Sequence, residues 1–405
     1  MSIERLRARV ARSLNIDQLT GKGHVMKGII IGAGIGGLAT AIALQMRQIE
    51  VNIFEAATSL NPIGAGILVP PNAMAMLDRY GLVQRVHDEG IAIESLVILD
   101  LNGKNISKTR ACYLKNSTVY RTVAMHRAAL QKIFLEAVAP GTVLTNRRCV
   151  GLHVDAGAAE AMFSDGTSAN GQFLVGADGI HSAVRNALFP DSTLRYSGQT
   201  CWRGVSNITL PTKWLTQLTE VWGVGLRFGC VPITQTQVYW YATKRAAAGG
   251  VDNPADIRQR LAELYGAFPG PVNDIILHTE PSAIIRDDIS DLDPLKSWSA
   301  GAAILVGDAA HACTPNLGQG GAQAIEDSWV LAEKIAHCET LPRAFEHFQA
   351  LRFAKVQKIV NVSWQVGRAT NLSNSIICQL RNALFRSVPS FIAERQSRAL
   401  YEVVY

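Results

Sequence analysis

The chain has 405 residues, of which 48% are hydrophobic and 18% charged, with a formal net charge of +6. This composition is typical of a soluble globular protein, and the length allows a large core in two lobes. No apolar run reaches the roughly 18 residues that span a bilayer, no signal-peptide pattern opens the chain, and no basic-aromatic stripe indicates nucleic acid. Seven scattered cysteines without a C-x-x-C pair argue against disulfides and a zinc site, so we expect a metal-free cytoplasmic protein.

The first 26 residues differ in charge from the rest of the chain. They carry five lysine and arginine residues against two acids, so five minus two accounts for three of the six net positive charges. The remainder is mildly basic, which suits an anionic cofactor or an acidic substrate. Because Met26 stands where the first strand pattern begins, residues 1–26 are interpreted as a solvated, disordered leader.

The clearest motif spans residues 28–37. Three β-branched residues, Ile29–Ile31, indicate a buried strand and lead into Gly32, Gly34 and Gly37, the G-x-G-x-x-G spacing, with a helical pattern behind them. The first glycine permits the tight turn, the second lets a pyrophosphate approach the backbone, and the third lets helix pack on strand. The unpaired N–H groups of the helix then face the phosphates.

Three acidic residues each follow a strand pattern at a turn. Glu55 ends the apolar strand at 51–54, about 20 residues beyond the first motif, where an acid accepts the ribose hydroxyls of a dinucleotide. Asp178 and Asp308 follow later apolar runs within the sequences Gly-Ala-Asp-Gly and Gly-Asp. An ordinary strand–turn–helix unit would explain any one of these turns, but the ordered set favours a dinucleotide site.

Periodicity and turn residues predict the remaining elements. We expect helices ending near Tyr80 and His337 and at Met125–Ala137, 252–265, 342–370 and 374–402, and strands within 91–121, 141–176, 196–242 and 275–286. Aromatic residues crowd into 196–242, where they fit either an ordinary sheet core or the walls of a flat apolar pocket.

The three motifs in this order resemble the single-component FAD-dependent aromatic hydroxylases, which share the para-hydroxybenzoate hydroxylase fold. The resemblance covers about residues 27–370 and is nearest the urate hydroxylase and zeaxanthin-epoxidase-like branch. It implies an α/β fold: a Rossmann-like, three-layer FAD-binding domain with a parallel sheet, an inserted mixed-sheet substrate domain, and C-terminal helices. The boundaries implied are 27–195 with 287–370 for FAD binding, including inserted strands near 70–121 that face the substrate side, 196–286 for substrate, and 371–405 for a helical cover.

The resemblance also assigns roles to single residues. Glu55 would hold the adenosine ribose, Val150 would meet the adenine through its backbone, and Asp178 would serve the pyrophosphate region and nicotinamide binding. Arg127 would lie against the cofactor and Asp308 would bind the ribityl chain. The loop that begins at Pro315 would lie under the isoalloxazine, with a helix N-terminus stabilising the negative charge of reduced flavin. The expected FAD-binding residues are Gly32, Gly34, Ile35, Gly36, Gly37, Glu55, Gly66, Arg127, Val150, Asp178, Asp308, Pro315, Gly318, Gly320 and Gly321.

Two residues are candidates for substrate positioning. Arg227 and Tyr239 resemble the urate hydroxylase pattern of a pocket arginine followed by a tyrosine, in which the arginine holds an anionic or carbonyl-bearing ligand and keeps oxygen transfer coupled. A sheet arginine paired to an acid explains Arg227 equally well. The segment 201–204, Cys-Trp-Arg-Gly, is bulkier and more basic than in the urate enzyme. His311 is open to a general-base reading, but packing beside the ribityl chain is the simpler interpretation.

The resemblance implies an FAD-dependent monooxygenase with non-covalent FAD. It would use NADH or NADPH and O2 to hydroxylate or epoxidise a small aromatic or heteroaromatic substrate via a flavin C4a-hydroperoxide. No second G-x-G-x-x-G is present, so the nicotinamide would bind transiently. The alternatives are an FAD oxidase or reductase without oxygen insertion, a non-catalytic flavin-binding protein, and a plain NAD dehydrogenase. We expect a monomer or homodimer.

Overall fold

The computed structural model describes residues 26–60, 65–111, 120–389, 395 and 400–403, so nearly all of the predicted leader lies outside the described residues. In this part of the chain the strands run as β1 (Lys27–Ile31), β2 (Glu50–Phe54), β3 (Gly66–Val69), β4 (Ile91–Ile93), β5 (Ser95–Asp100), β6 (Asn105–Arg110), β7 (Thr122–His126), β8 (Val143–Leu144), β9 (Cys149–Val154), β10 (Ala159–Phe163), β11 (Ser168–Gly171), β12 (Phe173–Gly176), β13 (Leu194–Ser206), β14 (Gln217–Trp222), β15 (Leu226–Pro232), β16 (Val238–Arg245), β17 (Ile285–Leu292), β18 (Ser299–Ala300) and β19 (Ala303–Leu305).

Helices alternate with these strands and close the chain. They are α1 (Ile35–Gln45), α2 (Pro71–Arg79), α3 (Val83–Glu89), α4 (Arg127–Ala137), α5 (Ala183–Leu188), α6 (Ile257–Tyr265), α7 (Val272–Leu277), α8 (Asp308–His311), α9 (Gly320–His337), α10 (Leu341–Thr370) and α11 (Ser375–Ser387), with 3-10 turns at Thr212–Trp214, Pro281–Ala283 and Pro315–Leu317. None of the helices in the described ranges is long and apolar enough to cross a membrane.

The first layer of the fold is a six-stranded sheet in the order β18-β19-β12-β1-β2-β8. Strand β1 is central and pairs in parallel with β2 and β12, and its isoleucines are buried because both faces of the sheet are covered. Phe54 of β2 stacks on Phe163 of the β9–β11 meander at 4.7 Å, so that meander packs against the sheet. This parallel sheet with flanking helices and mixed sheets confirms the predicted α/β class.

A second, seven-stranded sheet has the order β17-β13-β16-β15-β14-β5-β6. Five of its strands lie between Leu194 and Leu292, a little beyond the expected limits of 196 and 286. Strands β5 and β6 come from the earlier part of the chain, and β5 pairs in parallel with β14. One face packs against α6 and α7 through Trp202, Phe228 and Trp240. The period-2 alternation of side chains therefore turns the intervening residues toward the parallel-sheet layer.

Four local predictions were wrong. The last helix, expected over 374–402, ends at Ser387. Met125 and His126 belong to β7, and the helix begins only at Arg127, because the His126 Nδ1 accepts from the Ala128 N–H and caps it. Helix α6 begins at Ile257 rather than at 252. Residues 275–277 are the end of α7 and not a strand, since a short buried apolar run has the same appearance in both states.

Candidate active site

The three acidic turns lie along one edge of the parallel sheet. Strands β2, β1, β12 and β19 are consecutive neighbours and all run in parallel. Their carboxyl ends therefore lie side by side, which places Glu55, the Gly32 loop, Asp178 and Asp308 in a row. A ligand as long as a dinucleotide can contact each of these turns in order.

The glycine loop has the steric properties of a pyrophosphate cradle. Gly32 adopts a φ of 99°, and a Cβ at Gly37 would lie 1.9 Å from the Gly32 carbonyl oxygen, so this turn and the start of α1 are in direct contact. A Cβ at Gly34 would meet no protein atom within 4 Å. The Gly34 backbone is therefore accessible from outside the protein, and a phosphate group needs such access to reach the backbone N–H groups. Ile35 and Gly36 form the first turn of the helix that follows.

Glu55 and Val150 lie at the same end of the row. The Glu55 Oε2 accepts from the Ala33 N–H at 2.8 Å, and the Glu55 carbonyl accepts from the Arg147 N–H at 2.8 Å. Val150 follows closely on the edge strand β9 with 61% of its surface exposed. Backbone groups on the outer side of an edge strand are open to a ligand, which fits the predicted adenosine contact.

The Asp178 carboxylate accepts hydrogen bonds from the start of the helix that follows it in the chain. Its Oδ2 accepts from the N–H groups of Ala183 at 2.7 Å and Val184 at 3.1 Å, and its Oδ1 accepts from the Ser182 hydroxyl. Burial raises the pKa of Asp178 despite these donors. The carboxylate therefore organises the start of α5 beside the glycine loop, and its role toward a cofactor stays a prediction.

Asp308 and Arg127 face a common space at the other end of the row. Burial raises the pKa of Asp308, and the nearby charges of His311 and Arg127 oppose that shift. Arg127 is exposed at the first position of α4 and makes no ion pair or hydrogen bond through its side chain with any described residue. A free guanidinium and a carboxylate are suited to the polar parts of a cofactor.

The loop from Pro315 to Gly321 closes this end of the row. Gly318 is in the left-handed conformation with a φ of 62°, and α9 begins at Gly320 without a side-chain cap. A Cβ at Gly320 would lie 3.5 Å from the Asp308 Oδ1, and one at Gly321 would lie 3.3 Å from Ile67 of β3. The first N–H groups of an 18-residue helix thus lie beside Asp308, where they favour negative charge.

Arg227 connects the second sheet to this loop. Its side chain is buried, its Nη2 donates to the Asn316 Oδ1 at 2.6 Å, and its Nη1 lies 3.9 Å from the Glu220 Oε1. Within the part of the chain that the structure describes, the Arg227 Nε has no hydrogen-bond partner. The Tyr241 hydroxyl donates to the same Glu220 oxygen, and the Trp222 N–H donates to the other at 2.7 Å. The predicted pocket role and the alternative pairing with an acid are therefore compatible.

Tyr239 packs against Gly66, the first residue of β3. A Cβ there would be only 2.3 Å from the Cγ of Tyr239, so the tyrosine ring rests directly on the glycine backbone. Arg203 stands on the same sheet face, opposite Tyr241 in the β13–β16 register. It pairs with Asp287 at 3.1 Å, while its Nε also lacks a hydrogen-bond partner in the described ranges. Two arginines and two tyrosines thus share the face turned toward the loop.

A buried polar network supports the Gly307 turn from below. The Asp327 Oδ2 accepts from the Gly307 N–H at 2.9 Å and pairs with the His311 Nε2 at 2.7 Å, while its Oδ1 accepts from the Arg352 Nε at 2.8 Å. Arg352 also pairs with Glu326, and all these side chains are buried. His311 is thus held in a structural network, and its packing beside the ribityl chain stays a prediction.

Sequence reasoning did not single out four members of this site. Arg203 and Asn316 lie in segments that it discussed, whereas Glu220 and Asp327 were missed altogether. The register of β13 against β16 brings Arg203 beside the tyrosines, and no local sequence pattern predicts that strand pairing. Asp327 lies on the buried face of its helix beside Gln323 and Glu326, which are also polar. Polar residues at positions that the helical period assigns to the core are the one signal that could have identified it.

Asp327→Asn is expected to lower the free energy of unfolding by about 3 kcal/mol at neutral pH, because it removes one partner of a buried ionic network. Burial alone would raise the pKa of Asp327, but His311 and Arg352 outweigh it and lower that pKa. Since the unfolded value is near ~3.9, the ionised carboxylate stabilises the fold above that pH, and this contribution disappears as the pH falls.

Urea unfolding at pH 7 and at pH 2 measures this contribution, because the stabilisation is lost only as the pH falls below the unfolded pKa. The variant should lose less stability than the wild type on acidification, and the exposed Asp191→Asn should behave as the wild type. An Asp327→Asn variant with the wild-type pH dependence would contradict the assignment.

A glycine cradle, a row of acids, a helix N-terminus beside the last acid and a roofing mixed sheet define a flavin-dependent hydroxylase class of enzyme. The chain belongs to the family described as FAD binding domain, whose model matches residues 26–362. The open cradle at Gly34 and the donors around Asp308 fit FAD. FAD is thus the cofactor, NAD(P)H is the co-substrate typical of these enzymes, and the protein is an FAD-dependent monooxygenase, as the sequence predicted.

Three similar proteins extend over nearly the whole chain. The aurachin C monooxygenase/isomerase of Stigmatella aurantiaca is 36% identical, over 91% of this chain and 96% of that protein. The 2-heptyl-3-hydroxy-4(1H)-quinolone synthase of Pseudomonas aeruginosa is 34% identical, over 92% and 97%. The crystal structure of Klebsiella pneumoniae HpxO complexed with FAD and uric acid has a TM-score of 0.85 at 27% identity, covering 93% of this chain and 96% of that one. The predicted resemblance to urate hydroxylases is confirmed.

Proposed function

We propose that this enzyme uses NAD(P)H and O2 to hydroxylate a bicyclic nitrogen heteroaromatic that bears a ring carbonyl, of the 4(1H)-quinolone class. The observation that carries the proposal is the pair of arginine Nε groups, on Arg203 and Arg227, that find no hydrogen-bond partner among the described residues on the sheet face opposite the flavin loop. Buried N–H donors without partners are costly, and a carbonyl or enolate oxygen would satisfy them. Two relatives of this chain are a quinolone synthase and an aurachin C monooxygenase.

The residues around these arginines suit an aromatic ring. Tyr239 and Tyr241 lie with ring centroids 6.1 Å apart on the same face. Burial raises the pKa of Tyr239 to about 12, so its hydroxyl stays protonated at neutral pH. That hydroxyl makes no hydrogen bond with any described residue, which leaves it able to donate to a substrate oxygen or nitrogen.

The chemistry divides between cofactor and protein. FAD, when bound and reduced, activates O2 for transfer of one oxygen atom to an electron-rich carbon. Arg203 and Arg227 would hold the ring oxygen and favour its anionic form, and this makes the neighbouring ring carbon more nucleophilic. The Arg227–Asn316 hydrogen bond would hold the substrate-binding face of the sheet at a fixed position relative to the flavin loop. The buried sheet above would exclude water from the reaction.

The test is a panel of quinolones, phenolic acids and purines, scored by NAD(P)H consumption against peroxide release. A 4(1H)-quinolone is expected to stimulate NAD(P)H oxidation by at least tenfold with little peroxide, and one atom of oxygen-18 should enter the product from labelled O2. Stimulation without label would indicate an oxidase or reductase instead. Stimulation by a purine or phenolic acid alone would remove the quinolone assignment.

A further inference from the structure

Helix α11 carries a row of exposed apolar side chains. Ile376, Leu380 and Leu384 recur every four residues along it, Ile377 widens the row, and Val388 continues it just past the end of the helix. Their exposed fractions run from 39% to 67%. On an α-helix these positions form one stripe more than 100° wide, the pattern of a helix that buries this face against something.

The opposite side of α11 is firmly attached to the protein. Cys378 is buried, the Arg381 guanidinium lies 5.0 Å from the ring centroid of Trp222, and Phe385 meets the same indole edge-on at 5.3 Å. Arg386 pairs with Asp100 at 2.5 Å. Because these contacts fix the helix in place, the apolar row is a stable surface feature and is not covered by the described residues.

The segment around this helix has an unusual charge. No aspartate or glutamate occurs between Glu346 and Glu394. The same stretch contains six lysine and arginine residues, of which Lys358 and Arg368 are exposed on α10. The basic residues of the stretch are Arg352, Lys355, Lys358, Arg368, Arg381 and Arg386.

Four of these six basic residues are engaged within the protein: Arg352 and Lys355 with Glu326, Arg381 over Trp222, and Arg386 with Asp100. Lys358 and Arg368 remain exposed, and so do Lys108 and Arg110 on β6, the strand whose Asn105 carbonyl accepts from the Arg386 Nε. An apolar stripe beside these exposed cations is complementary to an anionic lipid surface.

We propose that α11 is an interfacial helix that docks this enzyme on an anionic membrane surface, with the apolar row inserted at the headgroup level. The five side chains expose on the order of 500 Å², which is less than the roughly 800 Å² that each partner buries in a standard protein interface. A patch of this size nevertheless matches the largest apolar patches on typical monomers, and those are often functional. A lipid surface needs no shape complementarity and accepts such a narrow stripe.

The docked helix would lie next to the substrate side of the molecule. Trp222, which holds Phe385 and Arg381, donates to Glu220, and Glu220 accepts from the Tyr241 hydroxyl. Helix α11 thus contacts Trp222, and Trp222 contacts Glu220 on the sheet face that carries Arg227. Delivery of a lipophilic substrate from the bilayer through this end rests on the proposed function, whereas docking itself does not.

The test is co-sedimentation of the full-length holoenzyme with vesicles of phosphatidylcholine alone and with added phosphatidylglycerol. We expect at least tenfold more protein bound to the anionic vesicles, and loss of that binding in a Leu380→Glu, Leu384→Glu double variant. Val251→Glu, which changes an apolar residue that is 91% exposed on another segment, should bind as the wild type. Retained FAD absorbance and circular dichroism show that each variant is folded.

Three results would overturn the proposal. They are a wild type that ignores anionic vesicles, a double variant that binds them undiminished, and a wild-type dimer that the double variant converts to monomer without any vesicle binding. The last outcome would assign the row to a second copy of the chain. No substrate enters this experiment, so its result is independent of the quinolone assignment.

Discussion

Gly34→Ala is expected to produce a stable folded protein that binds FAD at least a hundredfold more weakly, while Gly37→Ala is expected to be strongly destabilised. A Cβ at Gly34 meets no protein atom within 4 Å, and this residue is in the extended conformation that alanine adopts freely. The methyl group would instead occupy the space that the pyrophosphate must enter. A hundredfold loss corresponds to about 2.8 kcal/mol of binding free energy.

The Gly37 substitution acts inside the protein. Its Cβ would lie 1.9 Å from the backbone oxygen of Gly32, and a backbone atom in a tight turn cannot move aside as a flexible side chain can. Overpacking of this kind typically costs ~1–3 kcal/mol, and more where backbone must shift, against a total stability of ~5–15 kcal/mol. We therefore expect a low yield or a strongly reduced midpoint of thermal unfolding.

The paired measurement is the thermal unfolding of each apoprotein and its titration with FAD, followed by flavin fluorescence. The decisive feature is the contrast, because only Gly34→Ala should separate cofactor binding from stability. If Gly34→Ala bound FAD as tightly as the wild type, the pyrophosphate would have to lie elsewhere along the sheet edge.

Arg227→Ala is expected to divert most NAD(P)H oxidation to peroxide, with at least a tenfold fall in product formed per NAD(P)H. The substitution removes the hydrogen bond to Asn316 at 2.6 Å, and with it the direct link between the substrate sheet and the flavin loop. It also leaves the buried Glu220 without its cation, which should cost about 3 kcal/mol of stability. Loss of order at the site admits water, and water favours peroxide release.

Asn316→Ala is the matched control, since it breaks the same hydrogen bond and keeps the guanidinium in place. Uncoupling by both variants would show that the arginine acts through the loop, and uncoupling by Arg227→Ala alone would show that it acts on the substrate. Product and peroxide are measured together with stopped-flow rates of flavin reduction. Unchanged coupling in Arg227→Ala would remove this residue from the site.

The regions predicted well from sequence are those whose requirements are local. The glycine loop needs a positive φ at Gly32 and no side chain at Gly37. Both requirements are met by glycines that lie close together in the sequence. The end of β2 at Glu55 follows from a short apolar run with an acid behind it. In contrast, the residues at 275–277 share their composition with a strand, and only packing against α6 makes them helical.

The sequence by itself determined the parallel-sheet layer, the cradle for FAD and the class of the enzyme, because strand, turn and helix signals lie within about 30 residues of each other. Only the tertiary structure decided the substrate side. The contact of Arg227 with Asn316, 89 residues away, depends on how the second sheet docks over the loop. The placement of Arg203 opposite Tyr241 depends on strand register, where a shift by one residue would turn each side chain to the other face.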